Sequence, residues 1–543
     1  MRGSRLVAFM VGKVERATCD YSKFAATCRF PKWFVWATIV GFAILFPLIV
    51  NFSTSTVPFI FCFPIEVLLW YVLQARLAAA LPRWAEWLFP KEDNQARRVS
   101  VRSGWRFPLA VGSAYLLVVA VCGFGLVTDT GNQWNQVQTG KWNDWHPILH
   151  TAMFYLASRI CNKPIMIWIM QTAMFVLLYR WMNTTLMRMN LRSAARKLLC
   201  CVVALSPVTL LASRQVDKDI AFAQATIGVV LALCNIGISG GAWLKPLRNK
   251  FLLASLFLGA SFFRHNGFFV TLPIAVLLYT LIWDRKSRLH AACAFVLVAV
   301  ACFGYLGLRS FLFERQIVNN NQSQRYLEAI GLPIAIIGET YTANPCLLSD
   351  ESREFCEHIA PLDVWRMHFR GFGNGIKRRL NMKYLAENVP PKDFLKSLAK
   401  IVREDPKHSL KATVRVTGIG WNPVRERVPG KRFSGEDTTM RSCDLMALNN
   451  LVVHPPLGWA LATPGFAFCC MLLVGWICMM KSGLSSFVPS IGLLAYLFGT
   501  SLLMYDDGSS DYRFFYAVQL SYPFALLWSI RSLVFCGGAR KVG

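Results

Sequence analysis

Apolar residues in this chain gather into long runs separated by short polar connections, and the runs approach the length a helix needs to cross roughly 30 Å of hydrocarbon. About twelve such runs are legible. In the first half they are Trp33 to Phe52, Val57 to Ala80, Phe107 to Val127, Pro164 to Met182, Lys197 to Ser213 and Asp219 to Ile238. The second half gives Phe251 to Phe263, Gly267 to Trp283, Ala291 to Leu308, Leu457 to Met480, Leu484 to Met504 and Phe514 to Phe535. The pattern predicts an all-α integral membrane protein of about 12 transmembrane helices. A basic arm (1–32) precedes a membrane domain (33–308), a large polar segment (309–456) precedes the last three helices (457–535), and a short tail (536–543) closes the chain.

Composition agrees: 55% of the 543 residues are hydrophobic and only 16% charged, too apolar for a soluble chain of several domains. The formal charge of +28 would suit nucleic acid if it formed one patch, but it alternates along the chain instead. Basic residues crowd the N-terminal arm (Arg2, Arg5, Lys13, Arg16), the loop after the second run (Arg83, Lys91, Arg97, Arg98), the loop after the fourth (Arg188, Arg192, Arg196) and the C-terminal Arg540 and Lys541. Such a bias marks cytoplasmic loops, so both termini are expected inside and no nucleic-acid partner is implied. The segments 128–163, 214–219, 264–266, 309–456 and 505–513 then face outward. The first apolar run lacks a small-residue cleavage site and is expected to anchor rather than be removed.

Most of the 17 cysteines lie in or near apolar runs, where a thiol is usually a small buried hydrophobe. Cys346 and Cys356, in the outward segment, could form a disulfide in an oxidising compartment. Glu66 falls inside the second run, where a carboxylate is costly unless neutral, paired or facing a wet cavity; a packing role is the plainer reading.

The richest candidate chemistry sits where the third run stops, in TDTGNQWNQVQTGKWNDWHPILHT, residues 128–151. Asp129, Gln133, Trp134, Asp144, Trp145, His146 and His150 crowd this span. Gly131 and Gly140 let the backbone turn, and Pro147 suits the first turn of a new helix, which places Asp144 and His146 just before its start. The following TAMFYLASRI reads as a short amphipathic helix along the outer surface. Charges recur at other outward edges: Arg214, Asp217, Lys218 and Asp219 in SRQVDKDI, Arg264 to Gly267 in RHNG, and Asp506, Asp507, Asp511 and Arg513 in YDDGSSDYR. An arginine at the depth of RHNG needs an anionic partner: an acidic side chain or helix carbonyls on the plainer reading, a lipid phosphate on the sharper one. In the outward segment, PPKDFLKSLAKIVREDP carries one apolar face (Phe394, Leu395, Leu398, Ile401, Val402) that would lie on the membrane or pack on the segment itself.

The order of these motifs, namely Asp129, Gln133, HP with a following HT (HPILHT), Lys218 and Asp219, RHNG and DYR at 511–513, resembles the GT-C class of polytopic glycosyltransferases, and is closest to a bacterial branch with the same loop order. The likeness runs through most of the chain from Thr128 onward. It implies an inverting transfer of a sugar from a polyprenyl-phosphate carrier to a cell-envelope acceptor at the outer face of a bacterial cytoplasmic membrane. The implied partners are a lipid-linked sugar donor and membrane lipids. By residue match Asp129 would act as base toward the acceptor. Gln133, Trp134, Asp144, His146, His150, Lys218, Asp219, Arg264, Asn266, Asp511 and Arg513 would bind substrates, with cations meeting the charge that grows on the leaving phosphate. Trp134, Trp142 and Trp145 are candidates to stack on a sugar ring, or members of an interfacial belt.

The match departs from the pattern at Thr130, where several GT-C families carry a second acid, so no divalent metal and no other cofactor is favoured. His146 and His150 have the spacing of a zinc pair, yet no carboxylate follows at a ligand's interval. The main rival from another class is a transporter or flippase of glycans or lipids, which would place ionisable residues at mid-membrane.

Overall fold

A computed structural model describes residues 34–41, 56–90, 105–126, 128–282, 285–319, 322–421, 463–504 and 512–535. The basic arm, the loop 91–104, Asp506, Asp507, Asp511 and the C-terminal tail lie outside the described residues, as do the side chains of Glu66 and Arg513. The described chain is helical. After a helical stretch at 34–41 come α1 (Thr56–Leu88), α2 (Arg106–Cys122), α3 (Thr128–Thr139), α4 (Ile148–Ile160) and α5 (Ile165–Arg188). Then follow α6 (Ser193–Leu205), α7 (Pro207–Ser213), α8 (Lys218–Ile238), α9 (Leu247–Phe262), α10 (Phe268–Leu277) and α11 (Arg288–Glu314). The long polar segment forms α12 (Gln322–Ala329), α13 (Gly331–Ala343), α14 (Asp350–Ile359), α15 (Leu362–His368), α16 (Met382–Glu387), α17 (Pro391–Glu404) and α18 (Pro406–Trp421). The last helices are α19 (Pro464–Ser482), α20 (Val488–Ser501) and α21 (Tyr516–Phe535). Two parallel two-residue bridges interrupt the helices: β1 (Gly125–Leu126) with β3 (Gln215–Val216), and β2 (Trp142–Asn143) with β4 (Val318–Asn319).

Among the described residues four helices are long and apolar enough to cross a membrane, Ile165–Arg188, Lys218–Ile238, Arg285–Glu314 and Pro464–Ser482, with shorter apolar helices at Arg106–Val121, Phe268–Leu281 and Val488–Ser501. The expected run from Lys197 to Ser213 is two helices, because Pro207 cannot supply the N–H that would continue α6. Ser206 caps the second helix instead, its hydroxyl accepting from Thr209 N–H at 3.3 Å. Within the bundle α8 is central: its apolar window is 94% buried, against 17% for the equivalent window of Arg285–Glu314. A helix hydrophobic on every side belongs in a core, and α8 packs on α5, α9 and α21.

The bundle has two chemically different ends. At one, Arg188 of α5 donates to Asn235 of α8 (2.8 Å), Arg192 lies over the Trp87 ring (4.9 Å), Arg531 of α21 donates to Met189 O (3.1 Å), and Lys481 of α19 reaches Ala78 O (2.9 Å). These are the basic ends expected to face the cytoplasm. The opposite ends of α2, α8, α11 and α20, together with the α9–α10 break, carry the outward-assigned polar residues. There α13 begins against the residues that follow α20, with Gly331 so close to Met504 O that a Cβ would lie 2.5 Å from it. The far part of α13 is fixed to α18 by Glu339, which accepts from Lys411 (2.7 Å) and Arg415 (2.6 Å). The apolar face of α17 packs mainly onto this segment: Phe394 and Ile401 are buried against α13, α14 and α18, Leu398 and Val402 are half-buried, and Leu395 is exposed. Cys346 is exposed and Cys356 buried, and both are free thiols, so the disulfide considered from sequence is not formed.

Candidate functional site

The stretch that opens the site is a helix where sequence alone suggested a turning, polar connection. Gly131 lies inside α3, and only Gly140 (φ 69°) serves a turn. The buried face of α3 is polar and held by hydrogen bonds. Thr130 Oγ1 donates to Val216 O (2.6 Å), Gln133 Nε2 donates to Thr151 Oγ1 (2.9 Å), and Gln136 exchanges bonds with Asn143 (3.2 and 3.1 Å). Each satisfied amide or hydroxyl adds stability on the order of 1 kcal/mol and would cost more if left bare. The chain then turns through β2, whose pairing with β4 fixes Asp144 beside the end of α11, and Pro147 precedes α4 as expected.

Asp129 in the first turn of α3 meets Lys218 in the first turn of α8. Lys218 Nζ donates to Asp129 Oδ2 (2.6 Å) and to His146 Nδ1 (3.2 Å). Because an ammonium only donates, Nδ1 of His146 is the accepting nitrogen. An ammonium at a helix N-terminus opposes the helix dipole. Asp129 offsets that, as does Asp217, whose carboxylate caps α8 by accepting from Asp219 N–H (3.1 Å). The pair is open to one side, with side chains 12% and 26% exposed for Lys218 and Asp129. The exposed indole of Trp145 stacks on His146 (centroids 5.3 Å apart).

Behind this pair lies a second. Arg264, in the break between α9 and α10, is buried and bonds Asp219 through Nη1 and Asn266 Oδ1 through Nε (3.1 Å), while Asn266 Nδ2 donates to Thr500 Oγ1 at the end of α20 (2.8 Å). Phe514 lies under the guanidinium (4.2 Å). The break depends on Gly267, where a Cβ would stand 2.3 Å from Ala260 O. Of the two anions the sequence offered Arg264, the acidic side chain is the one it holds. A third pair joins Arg309 Nη2 to the buried Asp144 Oδ2 (2.5 Å).

Six of the expected residues therefore meet at one end of the bundle: Asp129, His146 and Lys218 directly, Asp219, Arg264 and Asn266 beside them. Asp144 joins through Arg309, which the sequence reading did not single out. Its signal was a cation directly at the end of an apolar run, where a charge is costly without a partner. Of Gln133 and Trp134, both expected to contact a substrate, the first is packed away and the second is half-buried. Gln133 is fully buried between Thr151 and His150, and Trp134 packs on Phe154 (6.3 Å). His150 also lies behind the site. Its Nδ1 sits 2.9 Å from Gln133 Oε1, and burial, then the Lys218 charge and then His146 lower its pKa to about 3, so the ring is neutral. Asp511 is outside the described residues, and Arg513 is placed only by backbone, in the 3-10 turn Tyr512–Phe515 next to Phe514. Among the described residues no three His, Cys, Asp or Glu side chains are grouped as a metal site requires.

Compared with protein-family models, with curated proteins and with solved structures, the chain matches none of them.

Proposed function

We propose that this chain is a membrane glycosyltransferase of the GT-C type, transferring a sugar from a polyprenyl-phosphate carrier to an acceptor at the outer face of a bacterial cytoplasmic membrane. The observation that carries the reading is the meeting of Lys218 with both Asp129 and His146 at the same helix ends that hold Arg264 and Arg309. The acceptor oxygen attacks the anomeric carbon, the bond from that carbon to the phosphate oxygen breaks with its electrons going to the phosphate, and the acceptor proton passes to Asp129. Charge then grows on the leaving phosphate. Lys218 and Arg309, both partly exposed, are the cations positioned to meet it. Arg264 is held by Asp219 and Asn266 and supports the N-terminus of α8.

Three carboxylates here pair with three cations, and Asp217 and Arg214 add one charge of each sign beside them, so the site has no standing positive excess. A phosphate must draw Lys218 from Asp129, and that same movement releases the carboxylate to act as base. The long helix α11 exposes apolar residues such as Val300 and Phe303 below Arg309, which suits an isoprenoid tail arriving through lipid with its phosphate leading. The charged groups of the candidate site gather at helix ends, which favours transfer over transport.

The test is purified protein in lipid vesicles, given radiolabelled polyprenyl-phosphate sugars and envelope extracts. Transfer that disappears in Asp129→Asn, with the fold intact by circular dichroism, supports the reading; substrate movement across the vesicle without transfer overturns it.

A further inference from the structure

Between Arg264 and Asn266, which are buried, His265 is exposed, and the transfer chemistry above leaves it unused. It reaches from the α9–α10 break to the loop before α4, where its Nε2 lies 3.2 Å from Trp145 O. A carbonyl oxygen only accepts, so Nε2 carries the hydrogen and, in the neutral ring, Nδ1 keeps its lone pair. No hydrogen-bond partner for Nδ1 is found among the described residues. The charged groups that act on the ring come from three elements: Asp144 from the loop, Arg309 from α11 and Lys218 from α8. Packed among these helix ends the ring loses hydration, which lowers its pKa; Asp144 and the bond to Trp145 O oppose the shift, while Arg309 and Lys218 add to it. The ring is therefore neutral near pH 7.

Trp145 supplies the other half. Its indole is 39% exposed and stacks on the buried ring of His146, with the two planes 11° apart. One residue thus serves twice: its carbonyl orients the His265 imidazole, and its indole lies on the imidazole that accepts from Lys218. A lone pair and an aromatic face are both electron-rich, so neither attracts a phosphate. They suit a group that donates hydroxyl hydrogens and presents C–H bonds to a ring face.

We infer that His265 and Trp145 form the subsite for the sugar ring itself, with Trp145 stacking on the pyranose and His265 Nδ1 accepting from one of its hydroxyls. The inference rests on the transferase reading above and divides the site by chemistry. Lys218 and Arg309 meet the phosphate, whereas His265 reads the hydroxyl pattern. A site built to hydrogen-bond a hydroxyl rejects the analogue that lacks it, which makes His265 a specificity-determining residue.

The experiment uses the full chain in phosphatidylcholine nanodiscs and saturation-transfer NMR with the methyl β-glycosides of glucose, galactose, mannose and N-acetylglucosamine. At least one glycoside should bind, and its Kd should rise about threefold to tenfold in His265→Leu, the scale of one hydrogen bond. Trp145→Ala should weaken binding as well. His265→Gln, whose amide oxygen still accepts, and Asp129→Asn should both bind much as the parent does. Among monodeoxy forms of the bound glycoside, one should bind the parent weakly yet lose nothing further in His265→Leu, a coupling that a merely structural role would not produce. The inference is overturned if no glycoside binds, if His265→Leu binds as the parent does, or if every deoxy form loses as much in the variant as in the parent. Transfer in vesicles with glycoside binding indifferent to His265 removes the subsite and keeps the enzyme. Glycoside binding that depends on His265, without transfer, keeps the subsite and removes the enzyme.

Discussion

Arg309 and Asp144 are 165 residues apart in sequence, yet the guanidinium Nη2 lies 2.5 Å from the carboxylate Oδ2. The pair ties the end of α11, a helix with little packing of its own, to the loop that carries His146. Together with the β2–β4 bridge it fixes one edge of the candidate site.

Breaking this pair from one side leaves a carboxylate that is 1% exposed without its cation. Arg309→Ala is therefore expected to destabilise the protein by about 2–4 kcal/mol, somewhat less than a fully buried pair because Arg309 reaches solvent. Arg309→Ala/Asp144→Ala, set beside each single alanine variant, should recover part of that loss. Thermal unfolding in detergent across the double-mutant cycle reads the coupling, and additive effects would show that the contact contributes nothing.

Asp129 and Lys218 make a different prediction, because their pair is partly open. Asp129→Asn should lower kcat by about a hundredfold or more, the usual scale for losing a general base, with little change in unfolding temperature. Lys218→Met should raise KM for the lipid-linked donor as well as lower kcat, since the same ammonium is assigned to the phosphate. An Asp129→Asn enzyme of undiminished kcat would remove the carboxylate from the mechanism.

Much of this arrangement was legible in sequence, and for a physical reason. Charges abutting apolar runs are expensive, so Lys218, Asp219 and Arg264 to Asn266 stood out, and they do meet. What stayed hidden depends on partners. The helix α3 has no apolar stripe, since Thr130, Gln133 and Gln136 bury a polar face by hydrogen bonding. Trp134 looked available for a sugar because its neighbours are polar; it is half-buried, packed on Phe154. The apolar face of α17 was plain, whereas the surface that covers it, made by α13, α14 and α18, could be found only in three dimensions.

Glycine positions separate tight contact from open space. Gly267→Ala would drive a methyl group against Ala260 O and Ser261 O (2.3 and 2.9 Å), both backbone atoms that cannot rotate aside. A loss of about 1–3 kcal/mol is expected, with Arg264 displaced and activity reduced alongside stability. Gly304, on the exposed face of α11, has nothing within 4 Å of a built Cβ, so Gly304→Ala should be within about 0.5 kcal/mol of the parent. Equal melting temperatures for the two variants would contradict the geometry of the break.

His150 gives a prediction in pH. Its folded-state pKa is lowered to about 3 by burial, with Lys218 and His146 adding repulsion, while in the unfolded chain it titrates near its ordinary value of about 6.5. Above about 6.5 both states are neutral at this ring and stability does not depend on it. Between about 6.5 and 3 the unfolded chain binds a proton that the folded chain refuses, so stability falls as pH falls. His150→Gln removes the titration while keeping a donor for Gln133 Oε1. Melting curves in detergent from about pH 7.5 down to 4 should show the parent losing stability more steeply than the variant; parallel slopes would mean that the ring takes up its proton in the folded state as readily as in the unfolded one.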